Sequence, residues 1–147
     1  MNNPKVSILI ANYNNEIFIP ECINSLRKQT YKNIEIIFFD DLSKDNSIIK
    51  IKEFNEVKII QNIEKTKIGS FNQIKAFKEG YKLSKGEIIL LLDSDDYLHE
   101  TKIEEIVNFF NNNKNAKIVF DYPIIKKDKK FTDTKKRKRL FNSLWPY

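Results

Sequence analysis

Ile88-Ile89-Leu90-Leu91-Leu92-Asp93-Ser94-Asp95-Asp96 is the stretch on which the reading of this chain turns. An unbroken aliphatic run of strand length, Ile88 to Leu92, meets three carboxylates at once. Strands covered on both faces read this way, and such strands belong to parallel sheets. Parallel sheets place their ligand sites just beyond the carboxyl ends of their strands. Acids crowded at that place repel one another unless a cation or hydrogen-bond donors offset the charge. Carboxylate oxygens are hard ligands suited to Mg²⁺ or Mn²⁺, ions that commonly hold a substrate's phosphates as well. The same residues could also cap the next helix, because Asp is a favoured N-cap.

Outward from this run, strand and helix patterns alternate. Val6 to Ala11 is an apolar strand. Glu16 to Lys28 is helical, with Ile19, Ile23 and Leu26 on one face and Pro20 tolerable in the first turn. Ile34 to Phe39 is a second strand, ending at Asp40-Asp41. Asp45 to Phe54 has helical spacing through Ile48, Ile51 and Phe54, started by Ser43 or Asp45. Val57 to Ile60 is a third strand. Ser70 to Leu83 is a helix with Ile74, Phe77 and Tyr81 in register. Thr101 to Phe110 is a further helix, and Ala116 to Phe120 a fifth strand. This alternation predicts βαβ units: an α/β fold with a mainly parallel sheet and helices on both faces.

Three polar clusters then fall on one sheet edge. Asn12-Tyr13-Asn14-Asn15 follows the first strand, Asp40-Asp41 the second, and Asp93-Ser94-Asp95-Asp96 the fourth. Each alone could be turn or cap chemistry. Together they can converge on one crevice. Tyr13 can offer a ring to a nucleobase, and Asp41 can accept a base N–H. Asp93 and Asp95 can hold a divalent cation against a diphosphate. No Gly-x-x-x-x-Gly-Lys-Ser/Thr run and no Gly-x-Gly-x-x-Gly occurs, so neither a P-loop nor a dinucleotide fingerprint is present.

With those motifs in place, the chain resembles family 2 glycosyltransferases of the GT-A fold. The resemblance rests on Asn12-Tyr13-Asn14 after the first strand, Gln29-Thr30-Tyr31 after the first helix and Asp40-Asp41-Leu42-Ser43-Lys44-Asp45 after the second strand. Gly86-Glu87 before the fourth strand and Asp93-Ser94-Asp95, the family's Asp-x-Asp, complete it. It runs over roughly residues 4–122. Ala11 stands where many members carry Pro, Leu42 where many carry Gly, and Lys78 where many carry Asn.

The resemblance implies an enzyme that transfers a sugar from a nucleoside-diphosphate sugar, UDP-sugars favoured, to an acceptor hydroxyl. Transfer would invert the anomeric centre and depend on Mn²⁺ or Mg²⁺. Nucleotide contacts would come from Ala11, Asn12, Tyr13, Asp41, Gln73, Asp93 and Ser94. Asp95 would be the main metal ligand, with Asp93 beside it. The segment Gly69 to Gln73 would close over the nucleotide. The family's acceptor region, with its catalytic carboxylate, follows this part, and only Asp121 is a candidate base here. The alternative is a binding module that holds the nucleotide sugar without transfer.

Composition bounds the rest. The chain has 147 residues, enough for one domain with a tail: a nucleotide-sugar domain over 1–123 and a basic segment over 124–147. Residues 126–139 carry nine basic residues against two acids, so the net charge of +6 belongs to this segment. It is expected to be a mobile loop or frayed hairpin, and it could meet an anionic membrane surface beside a glycan or lipid-linked acceptor. No aromatic-interleaved motif argues for nucleic acid. Leu140, Phe141, Leu144 and Trp145 form an apolar cluster after it. The one cysteine, Cys22, excludes an internal disulfide and reads as a core thiol. The one histidine, His99, excludes a His-rich metal site and reads as a helix cap or a neighbour of the metal. No signal peptide is legible, and no aliphatic run approaches a membrane span. The expected location is the cytoplasm, peripheral to the inner face of the membrane.

Overall fold

The computed structural model describes residues 3–64, 69–120, 124–127 and 130–133. Four strands, β1 (Val6–Asn12), β2 (Ile34–Asp40), β3 (Val57–Gln61) and β4 (Ile88–Asp93), form one sheet in the order β3-β2-β1-β4. Every pairing is parallel. Helices α1 (Ile19–Arg27), α2 (Ser47–Ile51) and α3 (Gly69–Leu83) make the crossovers, and α4 (Lys102–Asn112) follows β4. This is the expected α/β architecture.

The central strands β1 and β2 are apolar on both faces because both faces are covered; β4, at the sheet edge, departs from that expectation, with Leu91 54% exposed. Alternate residues Val6, Ile8, Ile10, Ile36, Phe38 and Leu92 pack with Ile19, Ile23 and Leu26 of α1, Ile51 of α2, and Ile103 and Val107 of α4. Each fully buried aliphatic or aromatic side chain of this set contributes about 1.5–3 kcal/mol. On the opposite face, α3 lies close to β1: a Cβ built on Gly80 would stand 3.3 Å from Leu9 Cδ2.

That close approach corrects the expected face of α3. Ile74 and Tyr81 are exposed, and the buried positions are Asn72, Ala76 and Gly80. Small residues let the helix backbone near the sheet, and the larger apolar residues turn outward. Helix α2 is also shorter than its spacing predicts. Glu53 N–H and Phe54 N–H bond back three residues, to Lys50 and Ile51 carbonyls. Such tight turns end an α-helix early.

Two motifs acquire purely structural reasons. Gly86 precedes β4, where a Cβ would stand 2.5 Å from the backbone nitrogen of Ser7. No other residue fits there, and Gly86 N–H donates to Ser7 Oγ at 2.8 Å. Gln29 is fully buried. Its Nε2 donates to the carbonyls of Ser25 and His99 at 3.1 and 2.7 Å, and its Oε1 accepts from Ile103 N–H at 3.0 Å. The Gln-Thr-Tyr motif therefore joins the end of α1 to the first turn of α4.

The chain divides after Lys114 into two compact units. The strands described in the second unit are β5 (Ile124–Lys127) and β6 (Lys130–Asp133), an antiparallel hairpin, which settles the choice between loop and hairpin for those residues. Ala116 to Phe120 forms no strand. An apolar run becomes a strand only where a neighbouring edge takes up its backbone groups, and among the described residues none pairs with it. Leu140 to Trp145 and the remainder of the basic segment lie outside the described residues. No described helix is long and apolar enough to cross a membrane.

Candidate functional site

The parallel register aligns the strand ends. Asn12 stands opposite Asp40, and Ala11 opposite Asp93. The loops after β1, β2 and β4 therefore leave the sheet side by side. They enclose a cavity of about 350 Å³ lined by Ala11, Asn12, Tyr13, Asn15, Asp41, Asn72, Gln73, Ala76, Asp93 and Asp95. That volume lies in the range of small-molecule sites.

The acidic pair after β2 divides its work. Asp40 is buried and shapes the turn: its carboxylate accepts from Asn12 Nδ2 at 2.8 Å, Ser43 Oγ at 2.5 Å and Ser43 N–H at 3.0 Å. Asp41 lines the cavity. The turn between them and Ser43 requires a left-handed residue, and Leu42 supplies it at φ 55°. Leucine adopts that conformation at a cost that glycine avoids.

The loop after β1 is clamped to the loop after β2. Asn14, itself at φ 54°, receives a bond from Lys44 N–H on Oδ1 (2.7 Å), and its own N–H donates to Ser43 Oγ (3.0 Å). Glu16 N–H donates to Asp45 Oδ2 at 2.9 Å, and Asn46 N–H donates to the Glu16 carboxylate in return. Burial raises the Asp45 carboxyl, but the hydrogen bonds from Ser47 and Glu16 outweigh it and hold it below the usual range. Tyr13, held between these anchors, keeps a half-exposed ring at the cavity rim.

At the end of β4, Gln73 Nε2 donates to Asp93 Oδ1 at 2.6 Å. Asp95 lines the cavity beside Asp93. Burial raises the neighbouring Asp96 carboxyl, and the charges of Asp95 and Asp93 raise it further. Among the described residues no set of three His, Cys, Asp or Glu side chains is arranged to enclose a metal. Two hard carboxylates in an open cavity fit Mg²⁺ or Mn²⁺, which accept a few carboxylates together with water and phosphate oxygens.

The structure brings Ala11, Asn12, Tyr13, Asp41, Gln73, Asp93 and Asp95 together around this cavity. Ser94 is not part of the lining. It is fully buried, and its hydroxyl accepts from Asn15 Nδ2 at 2.9 Å. Asp121 lies outside the described residues. Cys22 is a core thiol as expected, pushed up to about 12 by burial and then by Asp96 and Asp95. His99 pairs with Thr101 Oγ1 at 3.1 Å, just before α4.

Asn15 and Ala76 also line the cavity, and the motif reading did not single them out as contacts; Asn72, inside the segment Gly69 to Gln73, lines it as well. Asn72 and Ala76 are four residues apart on α3 and so share its buried face, with the exposed Gln73 at the edge of that face. Asn62 was missed as well. It follows β3 directly, and its Nδ2 donates to Asp41 Oδ1 at 2.6 Å. Strand-end reasoning applied to β3 as to its neighbours would have found it.

Comparison with known proteins agrees with this geometry. Residues 7–146 match the glycosyl transferase family 2 profile. The chain is 40% identical over 120 residues to WfaP of Escherichia coli, named UDP-Glc:alpha-D-GlcNAc-diphosphoundecaprenol beta-1,3-glucosyltransferase, covering 80% of this chain and 44% of that protein. It is 33% identical over 124 residues to TarP of Staphylococcus aureus, a poly(ribitol-phosphate) beta-N-acetylglucosaminyltransferase, covering 82% and 37%. Its fold matches the crystal structure of S. aureus TarS 1-349 in complex with UDP at a TM-score of 0.66 and 24% identity, covering 80% of this chain and 38% of that one. The chain spans less than half the length of these curated relatives. The fold is that of the GT-A glycosyltransferases, and the chain belongs to glycosyl transferase family 2.

Proposed function

We propose that this chain is the donor-binding part of an inverting, metal-dependent glycosyltransferase that uses a UDP-sugar. The observation that carries the reading is the convergence of Tyr13, Asp41, Asp93 and Asp95 on one cavity from three separate strand ends. The ring of Tyr13 borders the base, and Asp41 accepts its ring N–H. Ala11 and Asn12 border the nucleoside, with Gln73 and Ser94 supporting Asp93 and the loop beside it. Asp95, with Asp93, would hold Mn²⁺ or Mg²⁺, which when bound supplies Lewis-acid neutralisation of the leaving diphosphate. The acceptor hydroxyl attacks the anomeric carbon opposite that diphosphate and inverts its configuration. A carboxylate acting as general base takes the hydroxyl proton; within this chain Asp121 is the candidate.

The printed names of the relatives support the choice of donor and acceptor. WfaP names UDP-Glc and a diphosphoundecaprenol acceptor, and TarP names poly(ribitol-phosphate). By that analogy the acceptor here is a lipid-linked or cell-envelope glycan. The donor domain takes residues 1–123 and the basic segment 124–147. The charge of 126–139 would favour an anionic membrane surface, at the cytoplasmic face.

Calorimetric titration with UDP, with and without Mn²⁺, tests the reading on the wild type and Asp95→Asn. Metal-dependent binding that the substitution abolishes supports it. Absence of binding to UDP, GDP and dTDP with either metal would overturn it.

A further inference from the structure

Asn62 and Lys75 belong to no motif of the sequence, yet they stand directly behind Asp41. The Asn62 carboxamide is hydrogen-bonded at both its oxygen and its nitrogen. Its Oδ1 accepts from Ile63 N–H at 2.9 Å, Glu64 N–H at 3.2 Å and Lys75 Nζ at 2.7 Å. Those three donors leave only one orientation for the amide, because Nδ2 in that place would face donors with a donor. Nδ2 must therefore point the other way, and it donates to Asp41 Oδ1 at 2.6 Å. Asn62 is itself buried, as is Asp41. Lys75 reaches Asn62 from α3 and also donates to the Glu64 carbonyl at 2.9 Å, closing the turn after β3.

We propose that Asn62 and Lys75 are positioning residues that set the orientation of Asp41 for the donor base. The proposal rests on the reading of Asp41 as the carboxylate that accepts the base N–H. An amide N–H donated to Oδ1 anchors that oxygen and fixes the plane of the carboxylate. The ammonium of Lys75 polarises the amide from its far end, which strengthens the bond that Asn62 makes to Asp41. Helix α3 thereby touches both ends of the cavity: Lys75 acts on Asp41 through Asn62, and Gln73, two residues earlier, bonds Asp93 directly. A change in the seating of α3 would be felt by base and diphosphate together.

The two variants that test this are Asn62→Asp and Lys75→Met. Asn62→Asp keeps an acceptor for Ile63, Glu64 and Lys75 and replaces the donor to Asp41 by a carboxylate oxygen, so loss of the hydrogen bond and like-charge repulsion act together on Asp41. Lys75→Met keeps the length of the side chain and removes its charge. Each is titrated with UDP in Mn²⁺ and with N3-methyl-UDP, which lacks the ring N–H. Melting temperatures show which variants are folded.

Asn62→Asp is expected to weaken UDP about tenfold or more, on the scale of a hydrogen bond to a charged group. Lys75→Met is expected to weaken it by a smaller factor. Neither should change the weaker binding of N3-methyl-UDP, because that ligand makes no bond to Asp41. Equal losses on both ligands would mean a general structural role and would overturn the proposal. So would unchanged UDP binding in a folded Lys75→Met and Asn62→Asp when Asp41→Asn loses it. A wild type that binds no UDP would overturn the reading of the site itself, which separates the two failures.

Discussion

Gln73 Nε2 lies 2.6 Å from Asp93 Oδ1, so a helix on one side of the sheet holds the carboxylate that ends β4. A neutral amide donor is suited to this place. It orients one oxygen of Asp93 without supplying the positive charge that would compete with a cation.

Gln73→Ala should therefore leave folding almost intact and weaken metal-dependent UDP binding by about 1 kcal/mol, roughly fivefold in Kd. Gln73 is exposed on the cavity side, so its loss opens no core cavity. Titration with UDP and Mn²⁺, beside a melting curve, checks this. An unchanged Kd would remove Gln73 from the site.

Gln29 has the opposite character. Three main-chain groups, on Ser25, His99 and Ile103, depend on one buried carboxamide. Gln29→Leu would leave them unpaired in the interior, and such groups cost about 1–3 kcal/mol each. We expect a loss of at least about 3 kcal/mol in chemical denaturation, enough to unfold a marginal domain. A Gln29→Leu protein as stable as the wild type would contradict the structural reading of the Gln-Thr-Tyr motif.

Leu42 at φ 55° carries backbone strain in the turn that presents Asp41. Leu42→Gly should be close to neutral in stability, because relief of the strain and the entropy of glycine offset each other. Leu42→Val, β-branched at a left-handed position, should cost about 1–2 kcal/mol. Urea melts of the pair would show the difference. Equal effects would mean that the turn relaxes to another conformation.

Among the described residues, Glu35 is the carboxylate with most to lose on protonation. Burial raises its carboxyl, but bonds from Lys58 Nζ (2.6 Å), Ser7 Oγ (2.6 Å) and Lys85 N–H (2.6 Å) prevail and bring it to about 2 from an ordinary 4.5. The folded value lies below the unfolded one. Its contribution is therefore complete above pH 4.5 and declines as the pH falls toward 2. Glu35→Gln should cost about 1–3 kcal/mol at neutral pH and flatten the acid limb of a stability–pH curve. A variant with the wild-type acid limb would assign that limb to other carboxylates.

The legible part of the site was the part written in short segments. Asp40-Asp41 and Asp93-Ser94-Asp95 each follow an apolar run, so strand ends and acids could be read together. What separates Asp40 from Asp41, or Asp93 from Ser94, is not local. Asp40 turns inward because Asn12 and Ser43 donate to it, and Ser94 because Asn15 does. Ser43 lies in the same turn as Asp40, but Asn12 and Asn15 come from the end of β1 and the loop after it, 28 and 79 residues away in sequence. The face of α3 was misread for a related reason. Periodicity identified Ile74 and Tyr81 as the apolar stripe, while the sheet selected Ala76 and Gly80 because only small residues let the helix approach Leu9. Ala116 to Phe120 has strand composition and no strand partner.

By itself the sequence determined the order of strands and helices through α4, the parallel sheet and most of the polar residues that end its strands. Those follow from side-chain period, run length and the geometry of βαβ connections, all local properties. Only the tertiary structure decided which polar residues face the cavity and which hold the loops. It also placed Asn62 and Lys75, from the end of β3 and from α3, behind Asp41. A hydrogen bond depends on distance and direction in space, and nothing in the spacing of residues 41, 62 and 75 along the chain encodes either.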